Sequence, residues 1–540
     1  MINRKTTSVL IIAFSVVVAI AMGLTYHNAE ATYSFNDLYI SDKEFAALSA
    51  SAAPAPLTTE IYFNNEPLIY DGIDNTFYYS LLENDDSAYA PQTEILDPEV
   101  KLFIYGTPIS DESIAANTRN KLILVKGNAV SISDLVCTTL PVMNVTIEQS
   151  IIEANGLDDT YDIIEDVPSS IYLYDNSADL EGKSRIITAD SKIHKRGQTN
   201  ALNPAKSYRV TLLKDKNDMA GERVKENLLG LREDDDWILY HPYKDFEKVR
   251  NVFSMNLWYD SCARNNEWNV PNGNQYKFME LFINGHYHGL YALCYPIDKK
   301  QVKVKDGETF YKKMDWTQSE RYVELEQQAN GEYTLPGYVI KAGDYGYGDL
   351  QFLYLNMFYS DDAAVIRRTS DIGNSIDFWL FLKLTQAADN IAAGSAKNMY
   401  VTVKNSDTGI EGKKLLFTPW DYDQSWFHVG EGTSGLYGDP GYDLRVEFGA
   451  VDCLQLRGDE TINQEIKDRY KELREDTWSN ESIMNALNKY DSQIFGSGAF
   501  ERTKVRWPGG IYMDSAIGMS DFKEYVMKRL ECMDKYVEEL

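Results

Sequence analysis

Cysteine is scarce in this sequence, with five residues among 540, and none of them forms a C-x-x-C pair. This scarcity excludes the common zinc-binding spacing and a dense disulfide framework. The cysteines stand at the following positions: Cys137, Cys262, Cys294, Cys453 and Cys532. We expect buried free thiols, with one disulfide bridge as the alternative if the protein is exported.

Positive charge is also in short supply. The chain has 53 Lys and Arg against 82 Asp and Glu, which gives a formal net charge of −29. Nucleic acids and anionic membranes bind basic faces that displace counterions, so no nucleic-acid partner is expected. An anionic substrate would have to meet a locally basic patch. With 44% hydrophobic and 12% aromatic residues, the chain is expected to fold into two or three globular domains.

The N-terminus has the order of an export signal. Two basic residues precede an apolar run from Val9 to Leu24, and small residues follow it up to Ala31. This order predicts a signal peptide over residues 1–31, and an uncleaved N-terminal anchor is the alternative. The apolar run is short for a bilayer span of about 20 residues. We therefore expect a secreted or cell-surface protein that meets a membrane only through an uncleaved N-terminal segment.

The remainder of the chain changes character near residue 137, and it contains no internal repeat. A Ser/Ala/Pro-rich linker at 48–58 and short β-prone runs, with a hairpin at Asn64-Asn65, predict a β-rich module over residues 32–136. Residues 137–540 mix strand-like runs with helical ones such as "SIDFWLFLKLTQAA", without regular β-α-β alternation. This mixture predicts an α+β domain.

The stretch "FTPWDYDQSWF" holds Asp421 and Asp423 one residue apart among aromatic residues. On a strand, both side chains would point to the same face. Two carboxylates in one site repel each other unless a cation lies between them, so the pair predicts a divalent-metal site. Oxygen ligands of this kind suit magnesium, calcium or manganese. A strand end with two solvated acids is the alternative, because D-x-D is a weak motif.

The segment from Lys192 to Lys225 reverses the overall charge, with nine Lys or Arg against three Asp or Glu. Its "RGQTN" turn, with Arg196 and Gly197, offers backbone N–H groups to phosphate oxygens. Lys206, in "AKSYRVTL", is expected on a strand as an exposed point charge for the same ligand. A solvated basic face is the alternative.

The segment "LTQAADNIAAGSAKNMYVTV" contains an acid and an amide nine residues apart. An apolar helix pattern ends at Asp389, and Asn398 leads into the next strand. This placement suits a catalytic base and a metal-coordinating amide, whereas turn contacts with nearby backbone are the alternative. The full order is acid, amide, strand, turn, strand and D-x-D. Protein kinases use this logic, because phosphoryl transfer depends on positioning and charge neutralisation.

The same segments carry a family resemblance. "KRGQTN", "AKSYRVTL", "ELFINGHYHGLY", "DN…KNMY" and "PWDYD" follow one another in the order seen in the spore coat protein H (CotH) kinase family. This family is an atypical, secreted or spore-associated group of protein kinases, and the resemblance extends over roughly residues 138 to 540. It implies an atypical protein-kinase-like domain behind the β-rich module. It also implies ATP with Mg²⁺ or Mn²⁺, and transfer to Ser or Thr of an acceptor protein.

The resemblance also implies roles for individual residues. Asp389 would be the catalytic acid of the loop, and Arg250 would be structural. Six further residues are implied in ligand binding, three at the nucleotide phosphates and three at the metal: Arg196, Gly197 and Lys206, and Asn398, Asp421 and Asp423.

Two positions depart from the family pattern. Tyr295 and Lys341 stand where acids are common, and Glu280 or Asp344 are the nearby acids expected to replace them. Because of these departures, the alternative is a catalytically degenerate CotH-like surface protein that acts in adhesion, envelope or spore-coat assembly. A metal-dependent hydrolase is the third alternative.

Overall fold

The computed structural model describes residues 35–50, 57, 59–178, 180, 182–197, 200–314, 323–343, 345–392, 395–426, 438–509 and 518–540. The predicted export signal and Asp344 lie outside these residues. The chain divides into two compact units. Unit 1 comprises residues 1–241, 277–293 and 491–509, and unit 2 comprises residues 242–276, 294–490 and 510–540.

Unit 1 begins with a β-rich module. Its strands are β1 (Ile61–Phe63), β2 (Glu66–Pro67), β3 (Ile69–Asp71), β4 (Thr76–Ser80), β5 (Thr93–Ile95), β6 (Lys101–Tyr105), β7 (Asn120–Lys126) and β8 (Ala129–Thr138). One sheet has the order β2-β1-β5 and the other the order β3-β4-β8-β7-β6. Asn64 and Asn65 have φ of 49° and 64° between the antiparallel strands β1 and β2, so the predicted hairpin is confirmed.

A closed barrel forms the second part of unit 1. Its strands are β9 (Val142–Thr146), β10 (Val167–Tyr174), β11 (Ile186–Arg196), β12 (Ser207–Leu213), β13 (Asp236–Tyr240), β14 (Tyr276–Ile283) and β15 (His286–Cys294). The strand order is β10-β11-β12-β13-β15-β14-β9. The turn between β14 and β15 is Asn284-Gly285, with φ of 52° and 75°. This Asn-Gly pair tolerates the positive φ that a tight hairpin turn requires.

Unit 2 contains the remaining strands of the described residues. Its strands are β16 (Thr309–Lys313), β17 (Glu326–Gln327), β18 (Tyr333–Thr334), β19 (Tyr338–Ala342), β20 (Ile391–Ala392), β21 (Ser395–Ala396), β22 (Met399–Ile410) and β23 (Lys413–Pro419). Four of these strands form a sheet in the order β19-β16-β22-β23. The hairpin β22–β23 pairs Met399 with Pro419 at its open end, which is the end closest to Asn398 and Asp421 in the chain.

The α-helices of the described residues are numbered here in chain order. They are α1 (Asp42–Ala50), α2 (Asp111–Ala115), α3 (Gln149–Asn155), α4 (Arg250–Ser261), α5 (Gly348–Tyr359), α6 (Ala363–Ile366), α7 (Ile372–Thr385), α8 (Gly449–Leu456), α9 (Ile462–Glu475), α10 (Asn480–Asp491), α11 (Ala499–Arg506) and α12 (Met519–Glu539). Helices α1–α3 and α11 belong to unit 1 and the others to unit 2, apart from the last residue of α10. Helices and sheets are thus mixed, which confirms the α+β class, while the boundary at residue 136 stays a prediction.

All five cysteines are free, and all except the half-buried Cys532 are buried, as the sequence led us to expect. Burial raises the pKa of the Cys137 thiol to about 12. Such thiols are poor nucleophiles, so these buried cysteines are packing residues. Within the described ranges, the helices are too short or too polar to cross a membrane.

Candidate functional site

The turn that carries Asp389 follows directly from the end of α7. This helix begins where the Asp371 side chain accepts a hydrogen bond from the Asn374 amide at 2.8 Å, and it ends because Gln386 takes a left-handed conformation (φ 44°, ψ 47°). The sequence pattern placed the helix end at Asp389, but α7 stops four residues earlier, at Thr385. Asp389 therefore lies on a turn, which is closed by the Asn390 amide donating to the Ala387 carbonyl at 3.0 Å.

Two neighbouring side chains hold the Asp389 carboxylate. Asn398 Nδ2 donates to Oδ2 at 3.0 Å, and Lys397 Nζ lies 2.9 Å from Oδ1. Asn398 itself has φ of 53°, a conformation that asparagine tolerates better than most residues. The predicted acid and amide are therefore in direct contact, and Lys397, which no sequence motif selects, also contacts the acid.

Asn390 ties this turn to the β22–β23 hairpin. Its Nδ2 donates to the Asn398 carbonyl at 3.1 Å and to the Trp420 carbonyl at 3.0 Å. The Trp420 amide in turn donates to the Asn398 carbonyl at 3.1 Å. Asn390 is 2% exposed, so these bonds are shielded from water. The open end of the β22–β23 hairpin and the Asp389 turn therefore share one hydrogen-bond network.

The two acids of the D-x-D stretch do not lie on a strand. Strand β23 ends at Pro419, and Asp421 has φ of 62°. The strand expectation is wrong because the Tyr422 amide does not pair with a neighbouring strand. It donates instead to the Asn251 side chain, at 2.9 Å. The orientation of Asp421 and Asp423 is thus set by a turn and its contacts rather than by strand alternation.

Negative charge accumulates around Asp423. Burial raises the pKa of this carboxyl well above its usual range, and the charges of Asp421, Asp389 and Asp245 raise it further. Part of the Asp423 surface still reaches solvent. The described residues of unit 2 therefore bring the predicted acids at 389, 421 and 423 into one electrostatic cluster, to which Asp245 is added.

Asp245 belongs to a buried charged segment that precedes α4. Burial and the charge of Glu247 raise the pKa of Asp245 to about 7, against the opposing effect of Arg250 and Lys248. Arg250, 1% exposed, donates through Nε to Glu247 Oε2 at 2.7 Å, and its backbone amide donates to Asp245 Oδ2 at 2.6 Å. These contacts support the structural role expected for Arg250.

The residues predicted at the nucleotide phosphates meet at one end of the β11–β12 hairpin in unit 1. Arg196 ends β11 and pairs with Ser207, the first residue of β12, and Gly197 follows with φ of 96°. Lys206 directly precedes β12, so it does not lie on the strand as expected. The other two residues of the "RGQTN" turn that precede Asn200 lie outside the described residues.

Lys206 is also less accessible than the sequence suggested. The residue is 9% exposed, its Nζ donates to the Ala201 carbonyl at 2.9 Å, and it lies 3.9 Å from Asp162 Oδ1. The expectation of an exposed point charge is therefore wrong. Lys206 is held in place within unit 1 by a backbone carbonyl and faces a carboxylate from a distant part of the chain.

Most of the basic segment 192–225 is paired with acids. Besides Lys206–Asp162, the Lys and Arg pairs within 4.0 Å are Lys192–Asp166, Lys195–Asp162, Arg209–Asp236, Lys214–Glu222, Lys216–Glu148 and Arg223–Asp235. All of these acids except Glu222 lie outside the segment. The local excess of positive charge in the sequence is thus largely neutralised after folding. The role of Arg196, Gly197 and Lys206 at the nucleotide phosphates stays a prediction.

The chain matches a known protein family over more than half of its length. A model of the family described as CotH kinase protein matches residues 193–533. The chain belongs to the CotH kinase family. The matched range begins within β11 and ends within α12, so it contains every predicted site residue, while the β-rich module precedes it. No curated protein matches the chain.

The positions that depart from the CotH pattern differ in their surroundings. Tyr295 is fully buried, and Lys341 is exposed on β19. Glu280, expected as a replacement acid, is buried in unit 1, where Arg502 Nε donates to it at 2.9 Å and the Tyr287 hydroxyl donates to it at 2.7 Å. Glu280 is therefore occupied by a buried ion pair, and the other expected replacement, Asp344, lies outside the described residues.

Sequence reasoning missed the residues that hold the CotH site together. Lys397 contacts Asp389, Asp245 adds negative charge near Asp423, and Asn251 accepts a hydrogen bond from the Tyr422 amide between the two D-x-D acids. In the run "YKDFEKVRN", the family resemblance selects only Arg250, as a structural residue.

Proposed function

We propose that this CotH-family protein is an exported protein kinase that transfers the γ-phosphate of ATP to Ser or Thr of an acceptor protein, with a divalent metal. One observation carries the proposal. Asp389 is hydrogen-bonded to Asn398 at 3.0 Å and interacts electrostatically with Asp423 of the D-x-D stretch. A base beside a cluster of metal-type ligands is what phosphoryl transfer requires. The N-terminal apolar run supports export.

The donor set fits a hard divalent cation. Asp421 and Asp423 supply carboxylate oxygens and Asn398 supplies an amide oxygen, which are the ligands preferred by Mg²⁺ and Mn²⁺. The raised pKa of Asp423 reflects burial and neighbouring acids, and an added cation would relieve that repulsion. When bound, such a cation would neutralise charge on the transferring phosphate.

Asp389 is proposed to act on the acceptor hydroxyl. Its carboxylate would accept the hydroxyl proton while the hydroxyl oxygen bonds to the γ-phosphorus and the bond from that phosphorus to the ADP oxygen breaks. Asn398 and Lys397 orient the carboxylate through contacts of 3.0 and 2.9 Å. Lys206, with Arg196 and Gly197, is proposed to contact the nucleotide phosphates.

The direct test uses the full chain with labelled ATP and Mn²⁺ or Mg²⁺, with and without a casein-like acceptor. We expect label on protein in the wild type and none in Asp421→Ala. Release of inorganic phosphate without labelled protein would favour a hydrolase. Failure to bind nucleotide and to transfer label would favour the degenerate surface protein, which the departures at Tyr295 and Lys341 keep open as the second function.

A further prediction concerns Lys206. Lys206→Met is expected to weaken ATP binding by about tenfold or more, because a charged hydrogen bond to phosphate is lost. Since Met retains most of the buried stem of this 9%-exposed residue, the melting temperature is expected to change by only a few degrees. Calorimetric titration of ATP with Mg²⁺ measures the affinity.

Lys214 provides the matched control for Lys206. It lies in the same basic segment, its side chain is 68% exposed, and it pairs with Glu222 at 2.8 Å. Lys214→Met should leave ATP affinity unchanged. Equal affinities in wild type and Lys206→Met would remove Lys206 from the site.

A further inference from the structure

The segment 421–426 has an unusual backbone for its sequence. Asp421 and Trp426 have φ of 62° and 58°, so a non-glycine residue in the left-handed region stands at each end of it. Such conformations cost free energy and persist only where surrounding contacts fix them. The contacts around this segment therefore determine where its two acids point.

The first turn of α4 supplies the backbone contacts. The Tyr422 amide donates to Asn251 Oδ1 at 2.9 Å, and Arg250 Nη1 donates to the Ser425 carbonyl at 3.0 Å. Asn251 and Arg250 are 2% and 1% exposed, so water does not compete for these bonds. The segment is thereby attached to α4 at one residue between the acids and at one residue beyond them.

Side chains of the next turn of α4 complete the attachment. Ser254 Oγ lies 3.1 Å from Ser425 Oγ and accepts a hydrogen bond from Trp426 Nε1 at 3.0 Å. The Phe253 ring stacks on Trp426 with centroids 5.4 Å apart. These contacts hold the far end of the segment independently of Asn251.

Asn251 is distinguished by the position of its bond. Tyr422 lies between Asp421 and Asp423, so fixing its amide fixes the peptide unit that joins it to Asp421 and limits the rotation that leads to Asp423. We propose that Asn251 is a positioning residue that sets the two D-x-D carboxylates in their metal-binding orientation. This inference rests on the proposed metal-dependent function. Asn251 acts through the backbone of Tyr422 and is not assigned a contact with metal or substrate.

Asn256 on the same helix offers a matched control. Its Nδ2 donates to the Tyr276 carbonyl at 3.0 Å and to the Tyr490 hydroxyl at 2.8 Å, and its Oδ1 accepts from the Tyr276 amide at 2.7 Å. Asn256→Ala therefore removes at least as many hydrogen bonds from α4 as Asn251→Ala. These hydrogen bonds of the Asn256 side chain do not involve segment 421–426.

The experiment compares full-length wild type with Asn251→Ala, Asn251→Asp and Asn256→Ala. Amide hydrogen exchange over residues 421–426 is expected to accelerate about tenfold in Asn251→Ala, since one shielded hydrogen bond is lost. Asn251→Asp keeps the acceptor oxygen and should restore protection. Titration with Mn²⁺ and ATP should show about tenfold weaker metal binding in Asn251→Ala, whereas Asn256→Ala should keep wild-type exchange and metal binding despite a lower melting temperature.

Several results would overturn the inference. Wild-type exchange in Asn251→Ala would show that Asn251 does not hold the segment. Faster exchange with unchanged Mn²⁺ binding would show that the attachment does not orient the acids for metal. Equal losses in Asn256→Ala would reduce the effect to general destabilisation of α4. If wild type binds no Mn²⁺, the proposed function and the metal role of Asn251 both fail, while the exchange data still decide whether Asn251 holds the segment.

Discussion

Asp389→Asn is expected to reduce phosphate transfer to protein by roughly 10²- to 10⁴-fold, the usual contribution of a general base. Asparagine has the same shape but cannot accept the acceptor's proton as a carboxylate does. Binding of ATP and metal should persist, because Asp389 is not assigned to the metal. Label transfer at saturating ATP, together with calorimetric titration of ATP and Mg²⁺, measures both quantities on the same preparation.

Asp361→Asn serves as the control for this substitution. Its side chain is 97% exposed, and the contact to Arg457 at 3.4 Å is a surface ion pair worth little stability. Transfer by this variant should equal that of wild type. If Asp389→Asn transferred phosphate normally, Asp389 would be a turn residue held by Asn398 and Lys397, as in the alternative interpretation of its sequence.

The features predicted well from the sequence are those with local causes. The turn at Asn64-Asn65 follows from two residues that tolerate positive φ. Helix α7 follows from a strongly apolar segment, and the order of acid, amide, hairpin and D-x-D is found with β22 and β23 in the expected place. Each of these features depends on residues that lie close together in the sequence, so local sequence patterns are enough to predict it.

The features that escaped prediction depend on partners far along the chain. Lys206 is nearly buried because it meets the Ala201 carbonyl and Asp162, which lies 44 positions earlier (206 minus 162). Charge patterning within a segment cannot show such pairing. The D-x-D acids were assigned to a strand for a related reason. Beyond the end of β23 at Pro419, the Tyr422 amide donates to Asn251, which is distant in the sequence.

The burial of charged residues near α4 also could not be predicted from the sequence. Four charged residues follow one another closely in the sequence, yet each is at most 1% exposed: Asp245, Glu247, Lys248 and Arg250. Leaving one buried charge without its partner is costly, so these groups are fixed as a set. Their position beside segment 421–426 links the rigidity of α4 to the orientation of the predicted metal ligands, through the Arg250–Ser425 and Asn251–Tyr422 bonds.

The two D-x-D acids are expected to behave oppositely to Asp389. Asp421→Asn and Asp423→Asn should abolish the stabilisation that metal and ATP give the wild type, which is about 2.7 kcal/mol at a hundredfold excess over Kd. Without ligand, Asp423→Asn should raise the melting temperature, since it removes a charge that burial and three neighbouring acids disfavour. Asp421→Asn should fold normally, because asparagine tolerates the φ of 62° at this position.

Thermal melts with and without Mg²⁺ and ATP separate these expectations, with Asp361→Asn again as the control. A wild-type ligand response in both D-x-D variants would mean that Asp421 and Asp423 are solvated acids after a strand end. Loss of the ligand response in Asp389→Asn as well would contradict the assignment of Asp421 and Asp423 to binding and of Asp389 to phosphate transfer. A lower melting temperature of ligand-free Asp423→Asn would show that the hydrogen bonds accepted by this carboxylate stabilise the fold more than the repulsion around it destabilises the fold. The ligand response would then be the remaining support for a cation between these acids.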